Sequence, residues 1–251
     1  MAHTENHEYD LALIAGHNGA SESLAPIYSQ SIRDRCMQDR SPQDVANKQV
    51  EPQDSIDLEN LNAMAKVLGS LFYFPLTDEN NQALITALAS EQQGDDSAFY
   101  QWAQVVRSEG SDVLNQDFFL LFEGGEAMYA PPWGSVYLDK EEVIFGATTV
   151  AYRQFLRENG VELDTGMREP EDQFGLMLFA VSQFIEEGLP LSTIQCLFSE
   201  HLLTWCYRYL ALVAEHAQTE SYKQLALVAS SWCAAVQELL AIQPTDKKLY
   251  R

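Results

Sequence analysis

The sequence predicts an all-α fold, a single-domain bundle of about eight to ten helices, on three observations. Beyond residue 56, apolar residues recur at steps of three and four, the spacing that lines one face of a helix. No strand pattern of convincing length occurs apart from Ser135 to Leu138. Hydrophobic residues make up 46% of the 251 and charged residues 21%, enough to bury a proper core.

Taken in order, residues 1–56 are polar and without sustained period, which predicts a mostly disordered extension with a short helix near Ser23 to Arg35. Three of the five histidines (His3, His7 and His17) sit there, as expected of a solvated tail. The folded domain is expected over 57–251. Its first helix starts at Asp57, with Leu58, Leu61, Met64, Ala65, Leu68, Leu71 and Phe72 on one face, and Pro75 ends it. Thr77 or Asp78 caps a second helix carrying Ala83, Leu84, Ala87 and Leu88. A third runs from Ser97 through Trp102 and Val106, and a fourth from Ser111 into the cluster Phe118 to Phe122.

The segment Glu123 to Asp139 carries paired glycines and paired prolines and reads as a long structured loop. A helix resumes near Thr148 and closes at Asn159-Gly160, a C-terminal cap. Pro170 occupies the place of a first helical residue, with Glu169, Glu171 and Asp172 around the first turn and Phe174 to Ile185 as the buried stripe. Helical stretches over 191–203, 204–217 and 221–242 complete the chain.

Asp plus Glu number 37 against 15 Lys plus Arg, a net charge of −22. A surface that negative repels phosphate backbones and anionic membranes and attracts cationic segments, so basic peptides or proteins are expected partners and nucleic acid is not. The apolar runs fall short of the roughly 20 residues that span a bilayer, and the first of them follows acids where a signal peptide carries Lys or Arg. Four dispersed cysteines form no C-x-x-C pair, which fits free thiols in the cytosol. Ser135 stands outside a G-x-S-x-G context, Gly124-Gly125 belongs to no phosphate loop, and Glu200-His201 lacks the second His of a zinc motif. No metal or cofactor is expected.

The informative pairing is an apolar, aromatic loop (Phe118, Leu121, Phe122, Pro131, Pro132, Trp133, Tyr137) with the acids Glu169, Glu171 and Asp172. A hydrophobic surface rimmed by carboxylates complements a peptide that carries basic residues beside an apolar stretch. The same aromatics equally suit a rigid turn that plugs the core, and the acids equally suit a helix N-terminus.

The runs Leu121 to Gly125 (LFEGG) and Pro131 to Asp139 (PPWGSVYLD), then F-G-x-T-T-x3-R-Q-F from Phe145 and E-P-E-D-Q-F-G from Glu169, resemble the twin-arginine redox enzyme maturation chaperones of the TorD/DmsD type, nearest its DmsD branch. The likeness continues through H-L-L-x-W at His201 to Trp205 and the terminal K-K-L-Y-R. It implies an all-helical cytoplasmic chaperone that binds the twin-arginine signal peptide of a molybdopterin oxidoreductase, assists its cofactor insertion before export, and does no covalent chemistry. It further implies peptide-binding positions at Leu121, Phe122, Pro132, Trp133, Tyr137, Gly146, Glu169, Asp172 and Gln173, and either a monomer or a domain-swapped dimer. The sequence departs from the pattern at Gln173, where His is usual, at Gly125, where Gly-Pro is usual, and in its N-terminal extension. Two other readings are a chaperone for a different client, such as a formate dehydrogenase, and a nucleotide hydrolase. The missing phosphate loop and the −22 charge oppose the second.

Overall fold

The computed structural model describes residues 58–90, 98–124, 128–161 and 169–251. The N-terminal extension with its histidines, and Gly125, lie outside the described residues. Among those described, ten α-helices and two π-helical segments follow one another with no strand. The helices are α1 (Leu58–Tyr73), α2 (Glu79–Ser90), α3 (Ala98–Ser108), α4 (Ser111–Phe118), α5 (Gly134–Leu138), α6 (Ala147–Glu158), α7 (Phe174–Glu186), α8 (Leu191–Cys196), α9 (Cys206–His216) and α10 (Glu220–Leu239). The π segments, Phe119–Glu123 and Leu197–Leu202, extend α4 and α8.

The most apolar helix, α7, is buried along nearly its whole length and packs on α1. Backbone contact between them depends on two glycines. A Cβ at Gly175 would lie 2.7 Å from the carbonyl oxygen of Gly69, and one at Gly69 would meet the Phe179 ring at 2.9 Å. Around this contact Phe72, Phe122, Phe174, Trp205 and Tyr209 pack with tilted or edge-to-face rings, a geometry favoured by the aromatic quadrupole. The Asp117 carboxylate, fully buried, accepts from the backbone N–H of Thr219 at 2.8 Å and from its hydroxyl at 2.6 Å, fixing the start of α10.

Three local expectations are corrected. Ser135 to Leu138 is helical, because the chain leaves the Pro131-Pro132 pair extended and turns at once into α5. Helix α7 begins at Phe174, with Gln173 as its cap accepting from the Leu176 N–H at 2.9 Å. Pro170 and its acids therefore form the preceding turn, closed by the Gln173 N–H on the Pro170 carbonyl, and their charge is not placed by the helix dipole. On α2 the buried side is Asn81, Ile85 and Ala89, with Ala83 and Ala87 exposed. The Asn81 amide reaches the carbonyls of Ser70, Phe74 and Pro75 at the end of α1, and that polar anchor sets the rotation of α2.

After α10 the chain runs as an irregular strap. The Tyr250 N–H donates to the Tyr137 carbonyl at 2.9 Å and the Arg251 guanidinium to that of Met128 at 2.7 Å, so the terminal K-K-L-Y-R lies against the loop that carries the predicted site.

Candidate functional site

The proline-tryptophan loop and the acid-rich turn meet. Trp133 and Gln173 form an isolated antiparallel bridge, in which the Gly134 N–H donates to the Asp172 carbonyl at 3.0 Å and the Phe174 N–H to that of Pro132 at 2.8 Å. Side chains reinforce the seam. Oδ2 of Asp172 accepts from the Ser135 N–H at 2.7 Å and from the Thr149 hydroxyl at 3.0 Å, so one buried carboxylate ties the loop, the start of α5 and the first turn of α6 together. The indole N–H of Trp133 donates to Oε1 of Glu169 at 2.8 Å.

The nine predicted positions separate by exposure. Leu121, Phe122, Pro132, Tyr137, Asp172 and Gln173 are buried, while Trp133, Gly146 and Glu169 are partly open to solvent. Leu121 and Phe122 lie in the π segment and face the core. Tyr137 stacks on Trp205 with centroids 5.3 Å apart and donates its hydroxyl to the Pro131 carbonyl at 2.9 Å. These rings plug the body and offer no surface to a peptide in this conformation. Gln173 is occupied as the cap of α7, and Glu171 is held by both ends of the Arg153 guanidinium at 2.5 and 2.6 Å. The carboxylate presented to solvent beside Trp133 is that of Glu169.

Electrostatics at this place are strained in one direction. Burial lifts the Glu169 carboxyl above the usual carboxylate range; the indole hydrogen bond opposes this, and the negative charges of Asp172 and Glu123 add to it. Asp172 is lifted too, chiefly by burial and against its hydrogen bonds, and its Oδ1 makes none. A partly open carboxyl raised by burial and by neighbouring negative charge is relieved by an incoming cation. The opposite holds in a cavity of about 480 Å³ walled by Tyr129, Pro131, Arg208, His216 and Arg251. Its basic lining does not suit a guanidinium.

Sequence reasoning missed the residues that hold the seam. Asp139 accepts from the Thr148 N–H at 3.1 Å and from its hydroxyl at 2.8 Å, supplying α6 with the cap that Gly146 cannot. A Cβ at Gly146 would lie 2.0 Å from Oδ2 of Asp139, which gives that glycine a structural reason. The available signal was the T-T pair after Phe145-Gly146, a capping context without a capping side chain.

Among the described residues the body is helical, with an acid-flanked seam where the loop meets the turn before α7. Comparison with known proteins places it. The family model described as nitrate reductase delta subunit matches residues 88–211. A Salmonella typhi protein named Tat proofreading chaperone DmsD is 36% identical over 151 residues, 58% of this chain and 74% of that protein. An Escherichia coli protein named chaperone protein YcdY is 30% identical over 162 residues, 62% and 82% of the two chains. The crystal structure of a protein assigned as a redox enzyme maturation protein from Archaeoglobus fulgidus superposes with a TM-score of 0.50 at 17% identity, over 74% of this chain and 99% of that one, and supports the fold. The chain belongs to the TorD/DmsD family of redox enzyme maturation chaperones.

Proposed function

We propose that this chain is a cytoplasmic chaperone, not an enzyme, that binds the twin-arginine signal peptide of a molybdopterin oxidoreductase and holds the client during cofactor insertion. The observation that carries this reading is the Trp133–Glu169 pair, an aromatic face and a carboxylate joined at 2.8 Å, partly open to solvent and backed by the charges of Glu123 and Asp172. A leader with two guanidinium groups beside an uncharged apolar stretch fits both parts. Family membership supports the client class, and no helix among the described residues is long and apolar enough to cross a membrane.

The magnitudes divide the labour. Exposed ion pairs yield about 0–1 kcal/mol each, whereas burial of apolar surface yields about 25 cal/mol per Å² before ordering costs. Ordering a flexible leader costs about 2–5 kcal/mol, so binding is reversible, as a chaperone that must release its client requires. The carboxylates set register and reject unsuitable peptides. Calorimetric titration of a synthetic twin-arginine leader and its twin-glutamine counterpart is the test. The first should bind about tenfold or more tightly than the second at low salt, and equal affinities would remove the carboxylate role.

A further inference from the structure

Of the apolar residues that the sequence assigned to the leader, Leu121, Phe122, Pro132 and Tyr137 are sealed in the core, and Trp133 is partly open. Another apolar surface stands open beside the seam. Val143, Ile144 and Phe145 are 50, 46 and 43% exposed, and Val150 is 55% exposed. Phe145 precedes the Gly146 cap of α6 and Val150 lies four residues beyond it, the two positions whose apolar side chains meet across a helix start. The four therefore form a patch at one end of α6.

The backbone holds this patch outward at a cost. Glu142 and Phe145 have φ of 51° and 61°, the left-handed region that side-chain-bearing residues avoid, and such conformations persist where surrounding structure imposes them. That structure is the seam itself: Asp139 grips the first turn of α6, and Thr149 in the same turn bonds Asp172. Asp139, Glu141 and Glu142 lead into the patch, with Lys140 among them.

We propose that Val143, Ile144, Phe145 and Val150 form the docking surface for the apolar stretch of the leader, an assignment that rests on the leader-binding reading above. Charge selects this occupant. A second copy of the chain would bring the same acids and a net −22 against them, whereas a leader brings arginines beside its apolar residues.

The test compares the full chain with Val143→Ser/Ile144→Ser and, separately, Phe145→Gly, which keeps the left-handed backbone and removes the ring. Each is titrated with a synthetic twin-arginine leader and with the same leader bearing serines in its apolar stretch, and each is sedimented alone. Both variants should melt like the unaltered chain, bind the native leader about tenfold more weakly, and match the unaltered chain on the serine-bearing leader. If the unaltered chain binds the leader and the variants bind it equally well, the patch is refuted and leader binding stands. Variants that lose self-association and keep leader affinity assign the patch to a contact between copies and overturn the proposal. An unaltered chain that binds no leader overturns both readings.

Discussion

Trp133 donates its indole N–H to the Glu169 carboxylate across 2.8 Å, so the partly open aromatic of the loop and the partly open acid of the turn act as one unit. Removing either partner changes the other. Trp133→Ala removes apolar area as well as the hydrogen bond and should weaken leader binding about tenfold at both low and high salt. Glu169→Gln keeps an acceptor for the indole and loses only charge, so its effect should be confined to low salt. Calorimetry at two ionic strengths separates them, and a salt-sensitive loss for Trp133→Ala would mean the ring acts only through its acid.

Asp172 is predicted to matter for the fold before it matters for a ligand. Asp172→Ala leaves the buried Ser135 N–H unpaired and should destabilise the protein by about 1–3 kcal/mol in denaturant unfolding. Because burial raises the carboxyl in the folded state, that state holds its proton to higher pH than the unfolded chain does. Stability from this group is therefore greatest at low pH and falls as pH rises through the folded-state value. Asp172→Asn lacks that dependence, so its melting temperature relative to the parent should improve with rising pH. A constant gap would show that the carboxyl is not raised.

Much of the architecture was legible. Helix periodicity, Pro75 and the Gly160 stop at φ 77° follow from local chemistry, whereas the meeting of P-P-W with E-P-E-D-Q, a contact between distant segments, was expected from the family resemblance. What composition could not separate is an aromatic that lines a groove from one that plugs a core. Leu121, Phe122 and Tyr137 look alike in either role; in the fold Leu121 is fully buried, Tyr209 packs on Phe122 and Tyr137, and Trp205 stacks on Tyr137. S-V-Y-L resembled a short strand because four residues cannot distinguish a period of 2 from one of 3.6. The acids before α7 resembled a dipole cap, yet Arg153, eighteen residues upstream of Glu171, claims that carboxylate through a bidentate pair no local rule foresees.

Gly146 is predicted to be irreplaceable only while Asp139 is present. Gly146→Ala drives its Cβ into the carboxylate that caps α6 and should cost about 1–3 kcal/mol of stability. With Asp139→Ala added, the double variant should lose less than the sum of the two singles in urea unfolding. Strict additivity would place the cost elsewhere.

His201 sets a pH response unrelated to the ligand. It is buried against Tyr152 and Phe155, with centroids 5.2 and 4.8 Å away, and burial, helped by Lys247, pushes its imidazole down to about 3. The unfolded chain takes up that proton near the ordinary histidine value while the folded chain does not, so stability falls as pH drops below about 6.5. His201→Phe escapes this, and its melting temperature should gain on the parent between about pH 7 and pH 5. Parallel melting curves would mean that the imidazole is charged in place.

The most direct measurement is the nuclear magnetic resonance of the indole N–H groups during titration with a twin-arginine leader. Four tryptophans give four signals, and Trp133 is the one whose N–H rests on a carboxylate beside the candidate site. Leader binding should shift the Trp133 signal well beyond those of the buried Trp102 and Trp205. Saturable binding that leaves the Trp133 signal in place would put the leader elsewhere on the protein.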